Sequence, residues 1–140
     1  MRIAISFLFL MAAVAPALAA STPSRRLCNP DRIKQTNAWV DCLQKALDES
    51  EAKLSTTAGK IAAAMQAGAV LEEPNRTENR ALFEATEKRW LMVRDDDCKS
   101  YSAHQAGLGF GAVQYRLICL VDETAYRIDN LRARYAEDLK

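Results

Sequence analysis

The clearest structural signal in the sequence is the segment from Val113 to Tyr135, VQYRLICLVDETAYRIDNLRARY. Its hydrophobic positions, with one threonine among them, recur at intervals of three and four residues, which places them on one face of an α-helix. That face consists of Leu117, Val121, Thr124, Ile128, Leu131 and Tyr135. The segment therefore predicts a long amphipathic helix that buries this face against the rest of the protein.

A second long helix is predicted upstream of this segment. Asn29-Pro30-Asp31 suits a helix start, since asparagine is a good N-cap and proline fits the first helical position. The apolar face, spaced by fours and sevens, consists of Trp39, Leu43, Leu47, Leu54, Ile61 and Met65. Gly68 and Pro74 predict the end of the helix, with a loop near residue 72.

A third helix is predicted between these two, from Thr77 to about residue 102. Its weaker apolar stripe consists of Leu82, Phe83, Trp90 and Val93. A glycine-rich loop near residue 108 follows, and no stretch alternates with the period of a strand. The predicted fold is all-α, with three main antiparallel helices. Its predicted core includes Leu43, Leu47, Leu54, Trp90, Leu117, Val121, Ile128 and Leu131.

The N-terminus predicts export of the protein. Residues 1–19 combine a basic start, an apolar run and Ala17-Leu18-Ala19, which are the features of a cleavable signal peptide. We expect residues 20–27 to form a flexible lead-in and residues 28–140 to form the helical domain. Because no cysteine follows the apolar run directly, no lipid anchor is expected, and the mature chain should be periplasmic or secreted without a membrane anchor.

The charge balance narrows the class of partner. The chain has nineteen lysines and arginines and eighteen aspartates and glutamates, so its net charge is close to zero. A nucleic-acid-binding protein or a polybasic membrane-binding protein would carry a marked positive excess. The expected partner is therefore a protein, and the sequence assigns neither the residues that bind it nor an oligomeric state.

Four cysteines, Cys28, Cys42, Cys98 and Cys119, predict two disulfides in an exported chain. Cys98 and Cys119 lie at equal offsets on either side of the glycine loop, so an antiparallel hairpin would bring them to the same height. Pairing Cys28 with Cys42 then requires a break in the helix. Fourteen residues of continuous helix would separate their Cα atoms by roughly 21 Å, which is too far for a disulfide. A short extra N-terminal helix from Pro30, turning near Thr36, would supply that break. The competing pattern, Cys28–Cys98 with Cys42–Cys119, keeps the first helix straight.

No catalytic, cofactor or metal site is predicted. His104 lies near Asp97, Ser100 and Ser102, but the context of a nucleophilic serine is missing, so an exposed loop histidine is the preferred interpretation. The run from Asp95 to Asp97 lacks the glycine and closing glutamate of a calcium loop. We expect one of these aspartates to be a buried partner of an arginine, and the others to be solvated.

Trp90 and Arg94 are four residues apart on one predicted helix face. At this spacing a guanidinium can stack on an indole ring. The preferred interpretation is core packing of the tryptophan, with the arginine head group extending to solvent.

A longer pattern carries a family resemblance. It reads Trp90-x-x-x-Arg94-Asp95-x-x-Cys98 and, after the glycine loop, Cys119-x-x-x-x-Thr124-x-x-Arg127-x-x-x-Leu131; upstream, Cys28 and Cys42 frame Asn37-x-Trp39. Over about residues 28–135 the chain resembles the lysozyme inhibitor LprI family. The resemblance implies a disulfide-bonded helical fold, no enzymatic activity and the binding of lysozyme. It also implies structural roles for the motif residues Trp90, Arg94, Asp95, Thr124, Arg127 and Leu131.

Two functions follow as hypotheses. The first is inhibition of a peptidoglycan-cleaving lysozyme by a polar loop, for which either the glycine loop with Lys99, His104 and Gln105 or the segment 72–80 is a candidate. The alternative is an envelope interaction module, such as an immunity protein against a secreted toxin. The motif residues are of the kind that build a core, so sharing them indicates a shared fold more directly than a shared activity.

Overall fold

The computed structural model describes residues 21–33, 35–68 and 72–140. This part of the chain contains helices and no β-strands, which confirms the all-α prediction. The helices are α1 (Pro23–Leu27), α2 (Thr36–Ala67), α3 (Asn75–Ala106) and α4 (Phe110–Arg134). The long helices run up, down and up, and α4 packs against both α2 and α3. Within the described ranges no helix has the length and hydropathy needed to cross a bilayer.

The core consists of two clusters along the bundle. The disulfide cluster lies at the α3–α4 turn and consists of Cys28, Leu43, Ala46, Leu47, Cys98, Leu117, Leu120 and Val121. The distal cluster lies at the opposite end and consists of Leu54, Ile61, Ala62, Phe83, Ile128 and Leu131. Seven of the eight predicted core residues are buried, whereas Trp90 is half-buried and packs against the edge of the distal cluster.

The predicted stripe of α3 is partly wrong. Phe83 is buried, but Leu82 and Val93 are 58% and 56% exposed. The face of α3 that enters the bundle also contains Arg94 and Cys98. A charged residue thus occupies a core position, and Val93, one residue and therefore about 100° away, faces solvent.

The segment before α2 differs from the expectation. Helix α2 begins at Thr36 and not at Asn29. The Asn29 carboxamide instead accepts a hydrogen bond from the Asp31 amide at 2.8 Å, and a turn occupies residues 30–32. The predicted short extra N-terminal helix exists as α1, but its predicted start at Pro30 is wrong, and a turn there provides the break before α2.

Within the lead-in expected at residues 20–27, the segment Pro23–Leu27 forms α1. Ser24 is buried there, and its backbone N–H and hydroxyl both donate to the Asp122 carboxylate of α4, at 2.6 and 3.0 Å. These hydrogen bonds attach α1 to α4, and the sequence of α1 alone does not indicate this contact. The predicted signal peptide, residues 1–19, lies outside the described residues.

The disulfides are Cys28–Cys42 and Cys98–Cys119, with Cα atoms 5.9 and 5.5 Å apart. The preferred pairing is confirmed, and the competing pairing is wrong. Cys28 can reach Cys42 because the chain reverses between α1 and α2, a geometry that the Trp39 indole supports by donating to the Cys28 carbonyl at 3.0 Å. The second bridge joins α3 and α4 below their connecting turn.

Candidate functional site

The buried guanidinium of Arg94 joins all three long helices. Its side chain is 5% exposed and donates to the Thr124 hydroxyl of α4 at 2.8 Å and to the Glu51 carboxylate of α2 at 2.8 Å. It also donates to the neighbouring Asp95 carboxylate at 2.7 Å. Thr124 in turn donates to the Leu120 carbonyl at 2.6 Å. The carboxylates of Glu51 and Asp95 therefore compensate its buried charge.

Trp90 lies beside two arginines. The guanidinium carbons of Arg94 and Arg127 are 5.7 and 5.5 Å from its ring centroid, within the range of a cation–π interaction. Arg127 also forms a largely buried ion pair with Glu87 of α3. The expectation that Arg94 extends to solvent is therefore wrong, because its head group is bonded inside the bundle.

The α3–α4 turn presents apolar side chains to solvent. Gly107 ends α3 with φ 66°, a left-handed conformation that favours glycine, and α4 begins at Phe110. Leu108 is 97% exposed and Phe110 is 69% exposed. We call residues 107–113 the hairpin tip. A surface depression of about 510 Å³ beside the tip is lined in part by Lys99 and Arg116.

The α2–α3 end has a different character. The Glu73 carboxylate accepts hydrogen bonds from Thr77 at 2.8 Å, from Gln66 at 2.8 Å and from Arg76 at 3.3 Å. The hydrogen bond from Thr77, followed by those from Arg76 and Gln66, lowers the pKa of Glu73. Polar groups at this end therefore bind one another, whereas the hairpin tip carries exposed apolar surface.

The motif residues lie along one seam. From the Cys98–Cys119 bridge the seam passes through Arg94 and Thr124 to Leu131, which is buried in the distal cluster. The sequence model of the lysozyme inhibitor LprI family matches residues 28–131, which is most of the chain. The chain belongs to the lysozyme inhibitor LprI family. Neither a search of curated proteins nor a search of solved structures found a match.

The matched range coincides with structural limits of this LprI family member. It begins at Cys28, the first residue of the Cys28–Cys42 bridge, and ends at Leu131, the last buried residue of α4. Within that range, the motif side chains hold α2, α3 and α4 together. These side chains are engaged in holding the helices together, and the hairpin tip lies between the two halves of the motif.

The structure also locates the remaining candidate residues. His104 and Gln105 are exposed in the last turn of α3, not in the loop. Ser102 donates its hydroxyl to the Lys99 carbonyl at 2.9 Å and not to His104. Asp95 pairs with Arg94 as expected of one aspartate, but its expected burial is wrong, since the arginine is the buried member of the pair.

Sequence reasoning missed the partners that complete the seam. Glu51 and Glu87 belong to polar positions of α2 and α3, and their arginine partners are 43 and 40 residues away along the chain. The periodicity of α4 did give one signal, since Thr124 falls on its apolar face and is buried. A buried threonine in a hydrophobic stripe requires a polar partner, which here is Arg94.

Proposed function

We propose that this protein is an exported, non-enzymatic inhibitor of lysozyme, and that the hairpin tip enters the substrate cleft of the enzyme. Family membership supports the class of target. The observation that carries the choice of surface is the exposure of Leu108 and Phe110 at the end of a helical hairpin. Apolar side chains held in solvent at a narrow projection are typical of residues that a partner buries.

The charges beside the tip suit a lysozyme cleft. A retaining lysozyme has two catalytic carboxyl groups about 5–5.5 Å apart. Lys99 and Arg116 line the depression beside the tip, and neither forms an ion pair within the described part of the chain. Their positive charges complement the cleft, which favours a correctly oriented encounter.

The hairpin is well suited to carry a binding element. The Cys98–Cys119 bridge joins its two arms below the tip, with a Cα–Cα distance of 5.5 Å. A covalently restrained hairpin loses little conformational entropy when it binds, so more of the contact energy contributes to affinity. The two disulfides also favour an oxidising compartment, consistent with the periplasmic or secreted location that the predicted signal peptide indicates.

An envelope interaction module remains the second candidate function. It is favoured by exposed apolar surface on helix faces away from the tip, of which Met92 is an example. A partner that used these faces would not need the tip. Variants of the tip therefore discriminate between the two candidates.

The test is a turbidity assay of lysozyme acting on bacterial cell walls, with the oxidised protein added. We expect the wild-type protein to slow lysis, and the double variant Leu108→Ser/Phe110→Ser to weaken inhibition by about tenfold or more. Leu82→Ser is the matched control, because Leu82 is exposed on α3 but lies far from the tip. Circular dichroism checks that each variant keeps its helices.

Two results would contradict the proposal. If the wild-type protein in large molar excess fails to slow several types of lysozyme, inhibition is excluded as the function. If inhibition is equal for the wild-type protein and the tip variant, the tip is excluded as the inhibitory surface.

A further inference from the structure

A cleft of about 430 Å³ lies between α3 and α4, on the side where the chain enters α1. It does not overlap the depression beside the hairpin tip. Aromatic, apolar and acidic side chains share its walls, among them Trp90, Val93, Asp97, Tyr101, Glu123 and Tyr126. We call this surface the acidic cleft.

The carboxylates of the acidic cleft lack compensating charges. Asp97 and Glu123 are exposed, and neither forms an ion pair within the described residues. Asp122 is buried and accepts its hydrogen bonds from Ser24, which leaves its charge in place. Among the described lining residues the one cationic side chain is Arg94, whose guanidinium is already hydrogen-bonded to the carboxylates of Glu51 and Asp95.

The aromatic rings of the cleft provide the second half of a cation site. Tyr101 and Tyr126 are both exposed, and Tyr101 meets Tyr115 edge to face, with ring centroids 6.4 Å apart. Trp90 forms the inner wall and is already in contact with two arginine head groups. A carboxylate beside an aromatic face binds guanidinium and ammonium groups through charge-assisted hydrogen bonds and cation–π contacts.

We propose that the acidic cleft binds an arginine or lysine side chain of a basic protein partner. Charge complementarity carries the choice of occupant, because the cleft offers uncompensated carboxylates and aromatic faces and holds no free cation among its described lining residues. The identification of that partner as lysozyme rests on the proposed function. The cleft and the tip lie on the same α3–α4 hairpin, so local charge gives a nearly neutral protein an oriented attraction to a basic enzyme.

The first experiment tests the chemistry of the cleft without lysozyme. Tetra-arginine is titrated into the full-length protein, and binding is followed by NMR shifts of the Tyr101, Tyr115 and Tyr126 rings. We expect binding that weakens as ionic strength rises, and an affinity about tenfold lower for Asp97→Asn/Glu123→Gln. The matched control Asp129→Asn/Asp138→Asn removes the same charge from exposed positions outside the cleft and should bind as the wild type does.

The second experiment separates the cleft from the proposed function. Calorimetry measures the binding of a basic lysozyme to the wild-type protein, the cleft variant and the control. The tip variant Leu108→Ser/Phe110→Ser is measured in the same way. Loss of affinity in the cleft variant but not in the control supports the cleft as a lysozyme contact. Binding of tetra-arginine without binding of lysozyme supports the cleft and overturns lysozyme as the partner. Equal tetra-arginine binding by the cleft variant and the control, or no binding by the wild type, overturns the cleft.

Discussion

The disulfide cluster contains both covalent bridges of the protein, whereas the distal cluster contains no disulfide. Near Cys28 the chain must hold a five-residue helix, a turn and the start of α2 in place. Near Ile61 two long helices lie against α4 over several turns, so continuous apolar stripes can be buried. Irregular chain buries little apolar surface, and the Cys28–Cys42 bridge falls where such chain must be held.

Arg94 lies between these two regions. Its hydrogen bonds to Glu51 and Thr124 fix α3 relative to α2 and α4 at the level where the apolar clusters separate. The hairpin tip projects beyond the disulfide cluster, so the proposed binding element is mounted on the covalently restrained half. The comparison between the two regions leads to four predictions, ordered by the size of the expected effect.

Removing both disulfides should have the largest effect. Each bridge closes a loop of 14 or 21 residues in sequence separation. The chain-entropy description assigns about 3 kcal/mol to each, so replacing all four cysteines by serine should cost about 6 kcal/mol. A domain of this size is stable by about 5–15 kcal/mol, so the variant should be marginal or unfolded in urea titrations followed by circular dichroism. A loss of less than about 2 kcal/mol would mean that packing alone holds the disulfide cluster.

In the distal cluster, the largest effect should come from a cavity. Ile61 is fully buried, and Ile61→Ala should lower the free energy of unfolding by about 3 kcal/mol. Leu82→Ala is the matched control, since this exposed side chain should change the free energy by less than about 0.5 kcal/mol. Chemical denaturation of both variants measures the difference. Equal losses would show that the distal cluster does not depend on close packing.

Trp90→Ala should have an intermediate effect. The ring is half-buried, so the loss should be about 2 kcal/mol, below the range of 3–5 kcal/mol for a fully buried large aromatic residue. Part of this loss reflects the two guanidinium groups that lose their aromatic partner. Trp90→Phe keeps a ring at this position and should recover at least half of the loss. If Trp90→Ala and Trp90→Phe both have the wild-type midpoint of urea unfolding, Trp90 does not contribute to the stability of the seam.

The smallest effect should be found at the α2–α3 end and depends on pH. Hydrogen bonds, chiefly from Thr77, lower the pKa of Glu73 below its value in the unfolded chain. The ionised carboxylate therefore adds stability above the unfolded pKa, and this stability is lost as the pH falls through the lower, folded pKa. Thermal unfolding between about pH 2 and pH 6 should show a slightly weaker pH dependence for Glu73→Gln than for the wild type. Glu72→Gln controls for the loss of one carboxylate, and an identical profile for the two variants would contradict this role of Glu73.

Much of the fold could be predicted because α2 and α4 bury regular apolar stripes. Leu43, Leu54, Leu117 and Ile128 recur with the period of a helix, and all four are buried. The same reasoning failed on α3, where Arg94 takes a buried position and Val93 is left exposed. Hydrophobicity alone cannot identify a helix face whose buried contacts are made by a guanidinium and a disulfide.

The candidate site could be predicted in part. The glycine loop and Lys99 were recognised as one of two possible binding regions, but the sequence did not choose between the loops. The choice depends on Glu73, whose hydrogen bonds engage the polar groups of the other end. It also depends on Leu108 and Phe110, whose exposure follows from the position of the turn at the end of the hairpin.

The sequence by itself determined the helical class, the breaks between the long helices and the equal offsets of Cys98 and Cys119 about the glycine loop. These features are local, since periodicity and turn residues act over a few positions of the chain. Only the tertiary structure decided that α1 docks through Ser24 on Asp122, 98 residues away, and that Arg94 finds Thr124, 30 residues away. It alone brought Asp97 and Glu123 into one cleft between two helices. Such contacts depend on the packing of whole helices, and no local pattern in the chain specifies which polar side chains that packing brings together.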